Sequence, residues 1–518
     1  MESILERILS YYGLHKEDYA AYAEEPSFSS LPRLSGHLGV ELSKQRILKA
    51  KDSKEKVIVY GDYDTDGIMA TSIMVKVLRR LGCHVSFYLP SRYLDGYGLT
   101  MGNAEKIVNN GYKLVILVDN GITLIDEIVY LRSKSVDVIV IDHHEYATSL
   151  PPIQTIIHPI YSSYGEIPVS AGYLCFIFSL EFFDLDDYLL CLGALSTVSD
   201  MMPIRGYNRE IVRLMLQVLN DHPAQEFVYL SKQTTFDEKN LSMQIIPQIN
   251  AIGRMDEEHR IQRLVHYFAD GDRSQLPVIA NWMNEVNERR KMLTRLAEER
   301  LSISEHEPAI VVTGDLPEGL NGLLANKLLN QYKKVTAVFS ASKSDPSLYV
   351  GSLRCPEGFD FISCANELSK YLVRFGGHSK AGGMSVRKSD YPAFRKAFMD
   401  YCFAHPAKAI EIKRIPLYIE EANLETYHII SVLSPFGQEF KEPVFLLEHF
   451  PLDKCQFTLK GGYLSVMLND EAKLFSFSFK QEDVDARCQF IDLSLTFGMN
   501  EFRGKSTLTL FADVLKQY

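Results

Sequence analysis

The sequence predicts an α/β protein: a doubly wound parallel-sheet domain, a long connecting helix, a second α/β domain and a C-terminal β-barrel of the OB type. Three observations predict it. Between residues 50 and 160, short Val/Ile runs alternate with helical patterns, as in a parallel sheet covered on both faces. From 274 to 307 a single long helical pattern, "SQLPVIANWMNEVNERRKMLTRLAEERLSISEHE", suits a connection between domains. The last hundred residues turn to short β-runs with tight turns, the pattern of a small barrel.

With 518 residues the chain exceeds a single core, and several domains are expected. Residues 1–45, with "ILERILSYYGL", read as a helical segment without chemistry. The first α/β domain is placed at 46–210. Its strands are "KVIVY", "HVSFYLP", "KLVILV", "DVIVI" and "TIIHP"; between them lie the helical "IMATSIMVKVLRRLG", "LTMGNAEKIVNNG" and "LIDEIVYLRSKS". From 171 onward the pattern is mainly helical, and 211–307 is assigned to a helical region ending in the connecting helix. The second α/β domain, 308–406, opens with "PAIVVTG"; the barrel, 407–518, holds "KLFSFSF" and "IDLSLTFGMNEFRGKSTLTLFADVL".

Composition is that of a soluble globular protein, 46% hydrophobic and 23% charged. The start, "MESILERILSYYG", lacks the basic opening and apolar core of a signal peptide. No apolar run reaches the roughly 20 residues of a membrane span. The eight cysteines form no CxxC pair, so reduced thiols and a cytoplasmic location are expected. A net charge of −11 gives no global sign of nucleic-acid binding, yet leaves room for a local basic channel.

Chemistry gathers at the strand ends. "KVIVY" leads into Asp62, Asp64 and Asp66, "KLVILV" into Asp119, "DVIVI" into Asp142, His143 and His144, and "TIIHP" ends on His158. Ligands of open parallel sheets bind beyond the carboxyl ends of the strands, so one crevice collects these groups, with Asp200 joining from a helix end. One Asp-rich turn alone reads as a solvated loop or helix cap, and paired histidines alone as surface. Together they point to a metal centre. Carboxylates mixed with imidazole favour Mn²⁺ over Mg²⁺, and so many anionic ligands suit two ions. His158 beside Pro159 reads equally as a structural histidine.

"GDYDTDG", "VDNGI", "IDHH" and "STVSDMMPI" resemble the four ordered motifs of the DHH phosphoesterase superfamily, and "RFGGHSKAGG" its associated C-terminal domain. "PSRYLDGYGL", "INAIGRMD", "GSLR", "LSPFGQEFKEPVF" and "NEFRGKSTLTL" narrow the resemblance to the RecJ exonuclease family, over about residues 45–518. The resemblance implies that Asp62, Asp64 and Asp119 hold one ion and Asp66, Asp119, His143 and Asp200 a second. His144 would then stand beside the reacting phosphate, with Asp142 orienting an imidazole. It implies phosphate contacts by Arg92, Arg254, Ser352, Arg354, Gly376, Gly377 and His378, although each arginine alone reads as a surface ion pair. Phe502 and Arg503 are candidates for a DNA track, Phe502 being as readable as core. The expected function is 5′ to 3′ hydrolysis of single-stranded DNA in repair and recombination. A single-strand-binding protein and a helicase are the implied partners, with no membrane role. Two alternatives stand: a DHH phosphodiesterase of short oligonucleotides or cyclic dinucleotides, and a catalytically silent DNA-binding paralogue. Gln248, where arginine is usual, Leu316, where tryptophan is usual, and Gly382, where alanine is common, depart from the family pattern.

Overall fold

The computed structural model describes residues 2–518 apart from 35, 93–94, 97, 147–148, 162–166, 256–257, 305, 379, 408–411 and 503–504; for 501–502 and 505–506 it describes the backbone alone. The chain forms two compact units, Ser29–Met202 with Leu214–Ile410, and Met1–Phe28 with Pro203–Arg213 and Glu411–Tyr518.

Two short helices, α1 (Ile4–Tyr12) and α2 (Lys16–Ala23), precede α3 (Leu38–Asp52). Five parallel strands follow: β1 (Lys56–Tyr60), β2 (His84–Tyr88), β3 (Leu114–Val118), β4 (Asp137–Ile141) and β5 (Ile156–Ile157), in the order β2-β1-β3-β4-β5. The crossovers are α4 (Thr65–Leu81), α5 (Met101–Asn109) and α6 (Ile125–Ser133). β3 is buried along its whole length and α4 along most of its own, because sheet and helix are both covered, which explains their continuous apolar runs. Gly82 ends α4 with φ +86, a left-handed cap open to glycine without strain.

A helical layer follows: α7 (Ala171–Ser179), α8 (Asp187–Ser199), α9 (Gly206–Asp221), α10 (Gln225–Ser231), the single turn α11 (Glu238–Asn240), α12 (Ile246–Met255), α13 (Gln262–Val265) and α14 (Leu276–Glu299). α14 is the expected connecting helix, and at 24 residues about 36 Å long. It stops short of 307, at an Arg300 cap, and Leu301 and Ile303 beyond it pack against the same apolar cluster as Ala297 and Leu293 of the helix. That domain holds β6 (Ile310–Thr313), α15 (Asn321–Tyr332), β7 (Thr336–Ala341), β8 (Leu348–Arg354), α16 (Phe361–Glu367), β9 (Leu372–His378), β10 (Ala381–Arg387) and α17 (Tyr391–Ala404). Its sheet runs β6-β7-β8-β10-β9, with only β6 and β7 parallel.

The remaining unit carries β11 (Ile415–Pro416), α18 (Leu424–Val432), β12 (Phe445–Pro451), β13 (Tyr463–Met467), β14 (Ala472–Lys480), β15 (Phe490–Phe502) and β16 (Lys505–Gln517). The sheet order is β11-β12-β15-β16-β14-β13. The expected barrel is not closed: β11 and β13 are edges, and β11 is two residues long and ends on a proline that cannot donate to a ladder. The sheet's core, with Phe445, Leu474, Leu493 and Leu510, includes Ile8 of α1, so the N-terminal helix packs with this unit. Arg209 of α9 donates to the carbonyls of Leu433 (2.7 Å), Ser434 (2.7 Å) and Pro435 (3.0 Å) and lies over the rings of Tyr22 and Phe440. The "LSPFGQEF" motif is thereby a docking platform for one buried cation. Among the described residues no helix is long and apolar enough to cross a membrane.

Candidate metal centre and phosphate site

β1 runs into a loop in which each aspartate has its own surroundings. Asp64 caps α4, accepting from the Gly67 amide at 3.1 Å. Asp66 lies in the first turn, where the helix dipole favours an anion. Its two oxygens accept from the amides of Ala171 (2.9 Å) and Gly172 (2.8 Å) at the start of α7, and Oδ1 also accepts from Ser196 Oγ. Gly67 permits the tight fold, since a Cβ there would lie 2.6 Å from the Asp62 nitrogen.

β3 presents Asp119 in a left-handed conformation, φ +59. The next residue, Asn120, donates to the carbonyls of Val118, Gly61 and Tyr60, tying the ends of β1 and β3 together. β4 presents Asp142, buried and saturated: Oδ2 accepts from the Ile122 amide (2.9 Å), and Oδ1 from the His143 amide (2.8 Å) and His144 Nδ1 (2.8 Å). Burial pulls the Asp142 carboxyl up, but the His144 hydrogen bond and charge outweigh it and hold it at about 2. Burial likewise lowers His144, and the Asp142 hydrogen bond reverses this to about 9. His158 accepts from the Ile160 amide at Nδ1 and donates from Nε2 to the His144 carbonyl (3.0 Å). Both ring nitrogens are thus engaged in shaping the loop.

His143 stands at the centre. Its Nε2 is 3.3 Å from Asp119 Oδ1, 3.4 Å from Asp200 Oδ2 and 3.5 Å from Asp66 Oδ2. Two sets, Asp62–Asp64–Asp119 and Asp66–His143–Asp200, each bring their ligand atoms within 4.8 Å of one another, as does Asp119–His143–His144. Asp62 Oδ1 is buried without a hydrogen-bond partner. Burial and the neighbouring carboxylates raise Asp62, Asp64 and Asp119, and push Asp200 to about 9; burial lowers His143. Crowded carboxylates that resist ionising, beside an imidazole that resists protonation, fit divalent cations, whose charge brings the carboxyls back down and keeps the imidazole free to ligate.

Beside this cluster lie the arginines. Arg92 is placed over the Tyr63 ring, 4.5 Å from its centroid, and its Nε is buried without a partner. Burial and the facing charge of Arg92 lower Arg254 to about 10; Arg290 and Arg354 add to this and Asp64 opposes it. Arg354 donates to Ser352 Oγ (2.9 Å), and the start of α15 abuts both: a Cβ on Gly322 would lie 2.7 Å from Arg354 Nη2 and 3.1 Å from Ser352 Oγ. Among the described residues no carboxylate forms an ion pair with Arg92, Arg290 or Arg354. Gly376, Gly377 and His378 lie on exposed β9, paired with Gly383, Gly382 and Ala381; no described hydrogen bond joins them to the arginines. Arg503 and the Phe502 side chain lie outside the described residues. On the C-terminal sheet Phe477 is 72% exposed and stacked on Phe511, beside the half-buried Phe475.

Sequence reading missed several of these partners. Arg290 sits on the buried Met283–Asn287–Thr294 face of α14, its Nε donating to Asn287 Oδ1 (3.0 Å); a cation on a buried helical stripe was the signal. Gly322 and the "SAGY" turn at Gly172 are close approaches that only the fold reveals. The departures from the family pattern also have local reasons. Gln248 is buried and donates to the carbonyls of Leu230 and Gln244, Leu316 fills an apolar cluster, and Gly382 makes room for the Phe361 ring, which a Cβ would meet at 2.1 Å.

Comparison with known proteins adds the decisive pairing: a profile for the DHH family, N-terminal domain, matches residues 56–189, and one for the RecJ OB domain matches 415–513. In both regions the chain resembles the RecJ family. The single-stranded-DNA-specific exonuclease RecJ of Bacillus subtilis is 29% identical over 434 residues, 80% of this chain and 55% of its own length. RecJ of Haemophilus influenzae is 25% identical over 526 residues, 92% and 90% of the two chains. The chain thus spans about half the length of the Bacillus relative and nearly all of the Haemophilus one. The crystal structure of RecJ in complex with Mn²⁺ from Thermus thermophilus shares the fold, with a TM-score of 0.83 at 20% identity, over 99% of this chain and 76% of that one.

Proposed function

We propose that this chain is a metal-dependent 5′ to 3′ exonuclease that hydrolyses single-stranded DNA in the cytoplasm during repair and recombination. One observation carries the reading: within a single compact unit, the Asp62–Asp64–Asp119 and Asp66–His143–Asp200 sets adjoin Arg254, which feels the charges of Asp64 and of Arg92, Arg290 and Arg354. Carboxylates alone suit any hydrolase of phosphate esters. A cluster of added arginines suits a second phosphate, such as a strand's 5′ end.

In this reading Asp62, Asp64 and Asp119 hold one divalent ion and Asp66, Asp119, His143 and Asp200 the other, with His143 favouring Mn²⁺ over Mg²⁺. Bound there, the ions supply an activated water and charge neutralisation at the scissile phosphate. Arg92, Arg254, Arg290, Ser352 and Arg354 grip the terminal phosphate. His144, kept protonated by Asp142, donates to a phosphate oxygen. Phe475, Phe477 and Phe511 offer stacking surfaces for bases, which tolerate any sequence.

The test is a long single-stranded DNA, labelled separately at its 5′ and 3′ ends, incubated with Mn²⁺ and wild-type or Asp64→Ala protein. Early release of 5′-labelled mononucleotide by the wild type alone supports the reading. Intact DNA with folded, Mn²⁺-loaded protein overturns it, and cleavage of dinucleotides instead would favour the short-oligonucleotide phosphodiesterase.

A further inference from the structure

Resting on that reading, we propose that Tyr63 is a positioning residue that fixes the terminal-phosphate arginines against the metal loop. Tyr63 lies between Asp62 and Asp64. Its side chain and its carbonyl face two different elements of the phosphate site.

The ring supports Arg92. The segment carrying this arginine is pinned by Asp95, which accepts from the Ser91 amide (2.9 Å), Tyr88 Oη (3.0 Å) and Asn103 Nδ2 (2.9 Å). The guanidinium itself has no such anchor: among the described residues no hydrogen bond or ion pair holds it, and its contact is the Tyr63 ring at 4.5 Å. A ring face attracts a guanidinium while leaving its N–H groups free in the plane, the directions in which a phosphate is gripped.

The carbonyl faces α12. A Cβ on Gly253 would lie 2.1 Å from the Tyr63 oxygen, so the helix rests on this peptide, one residue before Arg254. Asn250, one turn earlier, accepts from the Thr65 amide (3.0 Å) and Thr65 Oγ1 (2.9 Å). Tyr63 is therefore wedged between the two arginine-bearing segments and joined covalently to the metal-facing aspartates. The spacing from terminal phosphate to scissile bond passes through this one residue.

The experiment compares 5′-phosphorylated with 5′-hydroxyl single strands for wild type, Tyr63→Ala, Tyr63→Leu, Tyr63→Phe, Arg92→Ala and the Tyr63→Ala/Arg92→Ala double variant, with Mn²⁺ binding titrated for each. Tyr63→Ala and Tyr63→Leu, which remove the π face with and without the bulk, raise KM for the phosphorylated strand about 5- to 30-fold and reduce the preference for 5′-phosphate. Tyr63→Phe restores that preference. The double variant is no worse than Arg92→Ala, because both changes remove one contact. Additive losses, or a fall in kcat shared equally by both strand types at unchanged KM, would overturn the proposal, as would a phosphate preference kept by Tyr63→Leu. A wild type that degrades neither strand refutes the exonuclease reading itself, a separate outcome.

Discussion

Replacing Gly253 by alanine tests whether α12 and the Asp62–Asp66 loop are one rigid piece. The added Cβ would stand 2.1 Å from the Tyr63 carbonyl oxygen, whereas ordinary contact begins at 3.4 Å. Helix and loop must therefore part by about 1.3 Å, the difference between those two distances. Both groups are backbone, so no rotamer change relieves the clash. The Thr65–Asn250 hydrogen bonds, now 2.9 and 3.0 Å, then stretch beyond hydrogen-bond length, and Arg254 moves by a similar amount. Overpacking of this kind costs about 1–3 kcal/mol of stability, and a displacement near 1 Å at a reacting centre costs about 100-fold in rate. The assay is kcat/KM on 5′-phosphorylated single-stranded DNA, alongside thermal melting and Mn²⁺ titration. Gly102→Ala serves as the control, because a Cβ there meets nothing within 4 Å; it leaves activity unchanged. Wild-type kcat/KM in Gly253→Ala would refute the rigid coupling.

Four further outcomes follow from the same geometry. Asp200 is raised from 3.8 to about 9 in the fold, so the metal-free folded state binds an extra proton between those values. Its stability falls as pH rises through that window, and melting scans from pH 5 to 9 should show the decline, with Mn²⁺ restoring stability most at high pH. In the metal-free protein the His144 ring titrates near 9, and Asp142→Asn moves its midpoint toward the ordinary 6.5, as NMR of the imidazole will read; an unmoved midpoint refutes the pairing. Arg209→Ala strips three carbonyls of a buried charged donor and costs at least about 3 kcal/mol, seen as a lower melting temperature. Phe477→Ala, which removes an exposed ring, weakens single-stranded DNA binding by about 1–3 kcal/mol without lowering the melting temperature; equal affinity in a fluorescence titration would exclude that face.

What the sequence made legible follows from where its information is local. Asp62, Asp119 and Asp142 could be placed because each ends an apolar run, and parallel topology sends all such ends to one side. Asp142 and His144 share one short segment, so their pairing needs no long-range knowledge. Arg290 and Gly322 were not legible as partners of Arg254 and Arg354, because they meet only when α14 and the second domain pack together. Closure of the C-terminal barrel was not legible either. Strand content reads from composition, whereas the pairing of first and last strands depends on register, here ended by the two-residue β11. Gln248 read as a lost charge because the pattern around it says nothing of burial; in the fold it holds a carbonyl of α10.

Asp66 and Asp62 carry different meanings for mutagenesis. Asp66 spends its lone pairs on the first amides of α7 as well as facing His143, so a substitution there loosens a helix start and the proposed ion site in the same stroke. A dead Asp66 variant says little about ions. Asp62 keeps one buried oxygen with no protein partner, and its replacement by asparagine preserves shape while removing the charge. Loss of turnover in that variant, with an unchanged melting profile of the metal-free protein, separates inability to bind a cation from inability to fold.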